Sequence, residues 1–289
     1  LYARAFSMSD GEDEKAKAIY VKLRVSELSG GEEFENVDIA YSEELHRLWL
    51  GGRGGGRANF NFERLEDADF RKRNFSRATF SQSFLKGAVF GGAILEEANF
   101  EGAYLDNALL HGAYLRSSYF KRASLHRADF HEADCDSANF DLVYAKYADF
   151  SFSNIRDVIF EQSDLSSANF SGVDLAGVEF SGANLTAAKL IECCGKFQIL
   201  KTDCGVASFD YSDLTELYAY MSHFGFAEFT RADLRGACFD HCVFDGNTRF
   251  EGALLDGTSF FNCHIHANLI DDYDFSGAKL VSTTVDREL

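Results

Sequence analysis

The 289-residue sequence contains no proline. A globular chain of this length would carry roughly fourteen prolines at about 5% usage. Proline has a fixed φ and no amide hydrogen, so it cannot join a continuous ladder of backbone hydrogen bonds. Its absence predicts a backbone whose amides are committed to such a ladder.

Tryptophan and long apolar runs are also scarce. One tryptophan stands against 29 phenylalanines and 12 tyrosines, which indicates that one residue type is reused at one kind of site. No stretch approaches the eighteen or more apolar residues of a membrane-spanning helix, and no signal-peptide pattern is visible. We expect a soluble protein, for which peripheral membrane association stays open. The chain opens with Leu1, which fits either removal of a targeting segment or a missing N-terminus.

The net charge of −18 is unevenly distributed. Residues 1–56 carry 7 basic and 11 acidic side chains, residues 57–128 carry 11 and 8, and residues 129–289 carry 10 and 27. The three segments therefore sum to −4, +3 and −17. Because contacts to phosphates need a clustered basic face, we expect no direct binding of nucleic acid.

Between Phe60 and Leu190 every fifth residue is large and apolar. Of these 27 positions, 25 are Phe, Leu or Ile, and only Cys135 and Ala145 depart. The position two residues earlier is Ala in seventeen repeats and Ser or Val in eight. A period of five matches neither a helix nor a simple strand, so each unit is predicted to be a short extended piece followed by a turn. Glycine often precedes the small residue, where a corner would need an unusual φ.

These units resemble the A(D/N)(L/F)xx repeat of the pentapeptide-repeat family. Representative units are Ala128-Asp129-Phe130, Ala168-Asn169-Phe170 and Ala183-Asn184-Leu185. The resemblance covers residues 57–289 and rests on dozens of repeats. It implies an all-β solenoid, a right-handed quadrilateral β-helix with four repeats per coil, in which the large and the small apolar residue of each unit point inward.

The register of the repeats has two irregularities. We predict a loop over residues 191–208 and a one-residue insertion near residues 245–249. The remaining 42 units correspond to about ten coils. With twenty residues per coil, Phe60, Phe80 and their successors are expected to stack on one face of the core, and Phe70, Phe90 and theirs on the opposite face.

Residues 1–56 do not repeat and are predicted to form a short mixed or irregular arm. The pattern indicates a strand over residues 19–25, a short helix over residues 42–49 and a flexible glycine-rich hinge over residues 51–56. Two interpretations stay open. The arm caps the first coil, because the open end of a solenoid needs a cover, or Leu45, Leu48 and Trp49 dock on a partner.

The sequence carries no enzyme signature, and we expect no catalytic residue, cofactor or metal. The strongest polar cluster lies near the C-terminal end and contains Cys238, His241, Cys242, Cys263, His264 and His266. Cys242 and Cys263 occupy the same inward position of successive coils. Their Cα atoms are therefore expected to lie about 5 Å apart, which makes the two residues a candidate disulfide. Zinc is disfavoured because these side chains alternate inward and outward. The simpler interpretation is that reduced cysteines fill alanine sites.

Two functions compete. The first is a non-enzymatic scaffold, a subunit of a larger protein assembly, and its candidate anchors outside the arm are aromatic: Tyr104, Tyr114, Tyr119, Tyr144, Tyr147 and Phe197. The second follows from the resemblance, because some family members are acidic rods that occupy the DNA channel of type II topoisomerases. Against it, Arg71-Lys72-Arg73 and Lys121-Arg122 make the first coils basic. The family also includes proteins of cyanobacteria and of the thylakoid lumen, so we expect an organellar or a cytoplasmic location.

Overall fold

The computed structural model describes residues 38–287. The strand predicted over residues 19–25 lies outside the described residues. From Asn59 onward the backbone winds into parallel coils, and eleven successive bridges link Asn59 to Lys279 along one side of the rod. The β-helix predicted from the sequence is confirmed, with eleven coil-to-coil steps where about ten coils were expected.

The rod has four faces, each marked by a column of outward residues that bridge to the coil before and the coil after. We name them faces A to D in chain order. Face A begins with Asn59, Thr79 and Asn99, face B with Arg64, Phe84 and Tyr104, face C with Asp69, Val89 and Leu109, and face D with Asn74, Ile94 and Tyr114.

The regular strands are short and lie in the C-terminal half. On face A, β1 (Gln198–Leu200), β2 (Tyr218–Tyr220), β3 (Cys238–Asp240), β5 (Ser259–Phe261) and β7 (Lys279–Val281) form one parallel sheet. On face B, β4 (Val243–Phe244), β6 (His264–His266) and β8 (Thr284–Asp286) form a second. Two helices, α1 (Ile39–Leu50) and α2 (Ala267–Asp272), complete the described elements, and neither is long and apolar enough to cross a membrane.

Most corners are tight turns whose third residue has a positive φ. In the turn Leu65–Ala68, the amide of Ala68 donates to the carbonyl of Leu65 (3.2 Å), and Asp67 has a φ of 58°. A positive φ at the third residue alone is the property of a type II turn. Glycine precedes the small residue in eleven repeats and has a positive φ in ten of them, with Gly277 as the exception, but many other corners hold charged or polar side chains in the same conformation. Stacking of the coils therefore imposes the conformation even where the residue opposes it.

The core consists of stacked phenylalanine rings. From Phe60 to Phe180, rings on successive coils of face A lie 4.6–5.6 Å apart between centroids. Rings opposite, such as Phe130 and Phe150 (4.7 Å), form a second stack that meets the first edge to face. The predicted columns are confirmed. Because the rings and the intervening leucines are almost fully buried, this part of the core is filled.

The interruption predicted as a loop over residues 191–208 is not a loop. Glu179 bridges Gln198 and Lys189 bridges Ser208, so this coil is one residue short and otherwise continuous. Gly195 stands where the repeat places a large residue, while Phe197 is buried and contacts Phe180 edge to face. The irregularity is thus absorbed inside the coil. Near residues 245–249 the coil is one residue longer than the repeat, because Glu228 bridges Arg249, twenty-one residues later.

The glycine-rich segment after α1 folds back onto the helix and is not an extended hinge. Gly51 caps α1, and the amide of Gly56 donates to the carbonyl of Leu45 (3.3 Å). Gly55 has a φ of 83°, and a Cβ there would lie 2.2 Å from the same carbonyl oxygen. Glycine is needed here for close approach, which explains the composition better than flexibility does.

Candidate interaction surface

The five predicted tyrosine anchors are all exposed, with 47–65% of their surface accessible, but they do not form one patch. Tyr104 and Tyr144 lie on face B, and Tyr147 lies at the corner that follows it. Tyr114 lies on face D and Tyr119 on face A. Only face B therefore gathers several of the predicted anchors.

Face B carries an aromatic column, of which the sequence predicted only the two tyrosines as anchors. Phe84, Tyr104, Ser124 and Tyr144 bridge one another in succession. The rings of Phe84 and Tyr104 stack with centroids 5.0 Å apart and an angle of 5° between their planes. Phe84 is 41% exposed and was not among the predicted anchors. Its outward repeat position, twenty residues before Tyr104, is the signal that would have found it.

The corner beside this column is basic. Tyr147 has the Arg127 guanidinium 5.6 Å and the Lys146 ammonium 5.2 Å from its ring centroid, and it meets the His126 ring edge to face at 5.7 Å. Such contacts contribute about 0.5–1 kcal/mol at exposed sites and hold the charges close to the ring. The corner therefore presents a fixed aromatic ring within a cluster of cations.

Phe197 was predicted as a partner anchor and is not one, because only 4% of its surface is exposed. The break in the five-residue repeat predicted a loop here, in which an aromatic side chain would have been accessible. In the shortened coil it points into the core instead.

The three predicted anchors of the arm lie on α1, against the first coil. Leu45, Leu48 and Trp49 are half-buried, and the Trp49 ring stacks on the fully buried His46 ring at 5.4 Å. The Nε2 atom of His46 donates to the Ser76 carbonyl (2.9 Å), and its Nδ1 accepts from the Ala58 amide (3.1 Å). The described part of the arm thus packs against the first coil, and these side chains are only partly available to a partner.

The candidate disulfide between Cys242 and Cys263 is absent, because both residues are free, buried thiols. They belong to an inward ladder in which each side chain donates to the carbonyl of a preceding coil: Thr202 to Phe180, Ser222 to Ile199, Cys242 to Ala219, Cys263 to Phe239 and Thr283 to Phe260. The contact with Cys263 and burial raise the pKa of Cys242, so this thiol stays protonated. These cysteines replace hydroxyl residues in a hydrogen-bonding role, which differs from simple filling of alanine sites.

The other members of the C-terminal polar cluster do not converge. His241 contacts Asp240 (2.7 Å), whereas the Nδ1 atom of His266 accepts from the Asn268 amide at the start of α2 (3.2 Å). Within residues 38–287, no group of three or more His, Cys, Asp or Glu side chains is placed to hold a metal ion.

Face D carries four aspartates, and three of them are paired with arginines. Asp134 contacts Arg116, Asp174 contacts Arg156 and Asp233 contacts Arg235, each at 2.6 Å, whereas Asp213 accepts from the Thr215 hydroxyl (2.7 Å). The hydrogen bond from Arg235 lowers the pKa of Asp233. Charges of both signs therefore alternate along this side, and the column is not a bare row of anions.

Comparisons with known proteins agree with this architecture. A family described as pentapeptide repeats matches eight copies, over residues 74–112, 108–144, 123–162, 163–194 and 207–246. A comparison with curated proteins finds no match.

Similar solved structures are also pentapeptide-repeat proteins. HetL, which is involved in heterocyst differentiation regulation in Nostoc sp. strain PCC 7120, is 18% identical with a TM-score of 0.53, and the alignment covers 77% of this chain and 94% of HetL. QnrB1, a plasmid-mediated fluoroquinolone resistance protein, is 18% identical over 79% of this chain and 92% of its own, with a TM-score of 0.37. A thylakoid-lumen protein of Arabidopsis thaliana is 29% identical over 33% of this chain and 63% of its own, with a TM-score of 0.26. The similarity to HetL shows a common fold.

Proposed function

The chain belongs to the pentapeptide-repeat family, and from that premise we propose that it acts without catalysis, as a rigid rod that binds a partner protein through face B. The partner is expected to be part of a larger assembly, in which this chain serves as a scaffold or subunit. The observation that carries the proposal is the column of exposed aromatic rings at Phe84, Tyr104 and Tyr144.

Exposed aromatic rings on a rigid face suit binding for two reasons. Each ring buries a large area on contact, and tyrosine is enriched among the residues that dominate binding energy at protein interfaces. The backbone beneath them is fixed by coil-to-coil hydrogen bonds, such as Leu85 N to Tyr104 O (2.8 Å) and Leu125 N to Tyr144 O (2.8 Å). Association therefore orders little of this chain, which lowers the entropic cost of binding.

The acidic mimicry of DNA finds less support. A mimic needs an extended field of one sign, whereas three of the four aspartates on face D are paired with arginines. The first coils add Arg71, Lys72 and Arg73 near one end of the rod. The net charge of −17 belongs to residues 129–289, so the acidic field does not extend over the full length of the rod.

A capture experiment tests the proposal. The full chain, the double variant Tyr104→Ala/Tyr144→Ala and the matched variant Tyr114→Ala/Tyr119→Ala would be immobilised and exposed to extract from the source cells. We expect one assembly to be retained by the full chain and by the matched variant, and to be lost from the face B variant. All four tyrosines are about half exposed or more, so the two variants remove similar surface. Equal retention by both variants would refute face B as the binding surface, and capture of a topoisomerase that duplex DNA displaces would favour mimicry.

A further inference from the structure

The aromatic column of face B has one position without a ring. Phe84 and Tyr104 stack on neighbouring coils at 5.0 Å, but the next coil presents Ser124, and Tyr144 follows only after it. Two coil steps separate Tyr104 from Tyr144, which is about 9–10 Å at the usual strand spacing. That gap equals two stacking distances, so one additional planar ring would fit between the two tyrosines.

The floor of this gap is small and polar. Ser124 is half-buried, and its hydroxyl donates to Asp106 (2.6 Å). The same carboxylate accepts from the His126 amide (3.1 Å). The serine is thus held down against the neighbouring coil, and its side chain does not project between the tyrosine rings.

The two corners that flank Ser124 are basic. Lys121 and Arg122 form the corner before face B, and His126 and Arg127 form the corner after it. Over residues 81–147, face B and its two corners carry Lys86, Lys121, Arg122, Arg127 and Lys146 against Glu101, Asp106 and Asp141, which is five minus three, or +2. The chain as a whole carries −18, so the gap lies in one of its few basic regions.

Lys121 contacts Asp141 (3.7 Å), and Arg127 and Lys146 lie over the Tyr147 ring. Within residues 38–287 no ion pair involves Lys86 or Arg122 at salt-bridge distance. The Arg127 and Lys146 side chains are nevertheless exposed, so both can also meet a carboxylate. A ligand at this gap therefore meets positive charge on both sides of a ring-sized slot.

We propose that the gap between Tyr104 and Tyr144, above Ser124, receives an aromatic side chain from an acidic segment of the partner protein. The proposal rests on the proposed function and adds the chemistry of the partner: a Phe, Tyr or Trp flanked by Asp or Glu. The inserted ring completes the stack of face B, and the flanking carboxylates meet the basic corners.

A nucleic acid would also offer planar rings and anionic groups, but the molecule favours a peptide. Successive stacked bases need a continuous aromatic platform and a basic groove that follows the backbone. Face B provides one gap, and the acidic side chains Glu101, Asp106 and Asp141 stand among its cations. A long polyanion would meet these carboxylates, whereas a short acidic segment avoids them.

The decisive variant fills the gap. Ser124→Tyr places a ring at a position that is equivalent to those of Phe84, Tyr104 and Tyr144 on the neighbouring coils, so the fold is expected to tolerate it. The control Ser124→Ala removes the hydroxyl and leaves the gap open. The probe is a short labelled peptide with a single phenylalanine between glutamates, and its binding to the full chain is followed by fluorescence anisotropy.

We expect Ser124→Tyr to weaken binding of this peptide at least about tenfold, and Ser124→Ala to leave it nearly unchanged. Equal binding by Ser124→Tyr and the full chain would overturn insertion of a ring into the gap. If Tyr104→Ala/Tyr144→Ala then loses binding, face B remains the binding surface. Unchanged binding in all three variants would refute both the gap and face B.

Two further measurements establish the chemistry without relying on a folded variant. The phenylalanine protons of the bound peptide should shift upfield in the NMR spectrum, because the tyrosine rings lie above and below them. A matched peptide with alanine for phenylalanine, and one with lysine for glutamate, should each bind at least about tenfold more weakly. Failure of the acidic aromatic peptide to bind the full chain, or tighter binding of oligothymidylate, would refute an acidic protein segment as the ligand.

Discussion

Protonation of His46 should release α1 from the end of the rod. His46 is fully buried, and both ring nitrogens are engaged: Nε2 donates to the Ser76 carbonyl and Nδ1 accepts from the Ala58 amide. This arrangement requires the neutral imidazole. A proton on Nδ1 would point at the Ala58 N–H group, so the charged ring loses one hydrogen bond and sets two donors against each other.

The direction of the pH dependence follows from the surroundings of the ring. Burial lowers the pKa of His46 below its ordinary value of 6.5, the Ser76 carbonyl partly opposes this, and the positive charge of Arg57 adds to it. The Trp49 and Phe75 rings stack on the imidazole and supply no charge. Because the folded-state pKa is depressed, the docked helix is fully stable above pH 6.5. It loses stability as the pH falls from that value toward the folded-state pKa.

The contacts of His46 give the size of the stability loss expected when the ring is removed. Replacing His46 by alanine leaves the Ser76 carbonyl and the Ala58 amide without these partners, at about 1–3 kcal/mol each. It also removes the stacking with Trp49 and Phe75, worth about 0.5–1.5 kcal/mol for each ring pair. We expect His46→Ala to destabilise docking of α1 by about 3–9 kcal/mol, while the remaining coils stay folded because they stack independently of the helix.

The only tryptophan of the chain provides the assay. Trp49 fluorescence and the protection factor of the Ala58 amide, which corrects hydrogen exchange for its intrinsic pH dependence, would be followed from about pH 8 to about pH 5, where histidine titrates. We expect both signals to report opening on acidification in the full chain and constant opening in His46→Ala. The control is His223→Gln, since His223 is exposed on a distant coil. Fluorescence and protection that are independent of pH, or unchanged by His46→Ala, would contradict a pH-sensitive contact at His46.

Three further predictions concern the coils. Phe140→Ala should lower the free energy of unfolding by about 3–5 kcal/mol, because the ring is fully buried and stacks on Phe120 and Phe160. Chemical denaturation measures this change, and a loss below about 1 kcal/mol would contradict the stacked core. Gln162→Gly should stabilise the rod by up to about 1 kcal/mol, whereas Gly102→Ala should destabilise it by a similar amount, because both residues have a positive φ (53° and 64°). The melting temperatures of the two variants should therefore shift in opposite directions. Burial raises the pKa of Cys135 far above its ordinary value, so this thiol should not react with a thiol reagent in the native state. The exposed Cys194 should react first, and mass spectrometry of the labelled chain reports the order of labelling.

Much of the fold could be predicted because the repeat is local. Each five-residue unit contains its own inward pair and its own corner, so Phe100 and Ala98 are assigned to the core without knowledge of distant residues. Multiplying the period by four then predicts which rings stack. The same arithmetic assigns Tyr104 and Tyr144 to one face, and it would have included Phe84 had outward positions been followed as closely as inward ones.

Less of the candidate site could be predicted from the sequence. Phe197 was assigned to a loop because the five-residue rule stops there, yet a coil one residue short still stacks between its neighbours and buries the ring. The cysteines at 242 and 263 were considered as a disulfide from their spacing alone. Their carbonyl partners lie more than twenty residues earlier, so the hydrogen-bonding role depends on contacts between coils.

The β-helix, the identity of the core side chains and the contrast between basic first coils and an acidic remainder can all be read from the amino-acid sequence, because they follow from composition and from a short period. The contact of His46 with the first coil, the pairing of arginines with three aspartates of face D and the gap above Ser124 appear only in the folded rod. All three have one cause. Neighbours along the rod are about twenty residues apart in sequence, and a deletion or insertion changes that spacing without any local sign of which side chains then meet.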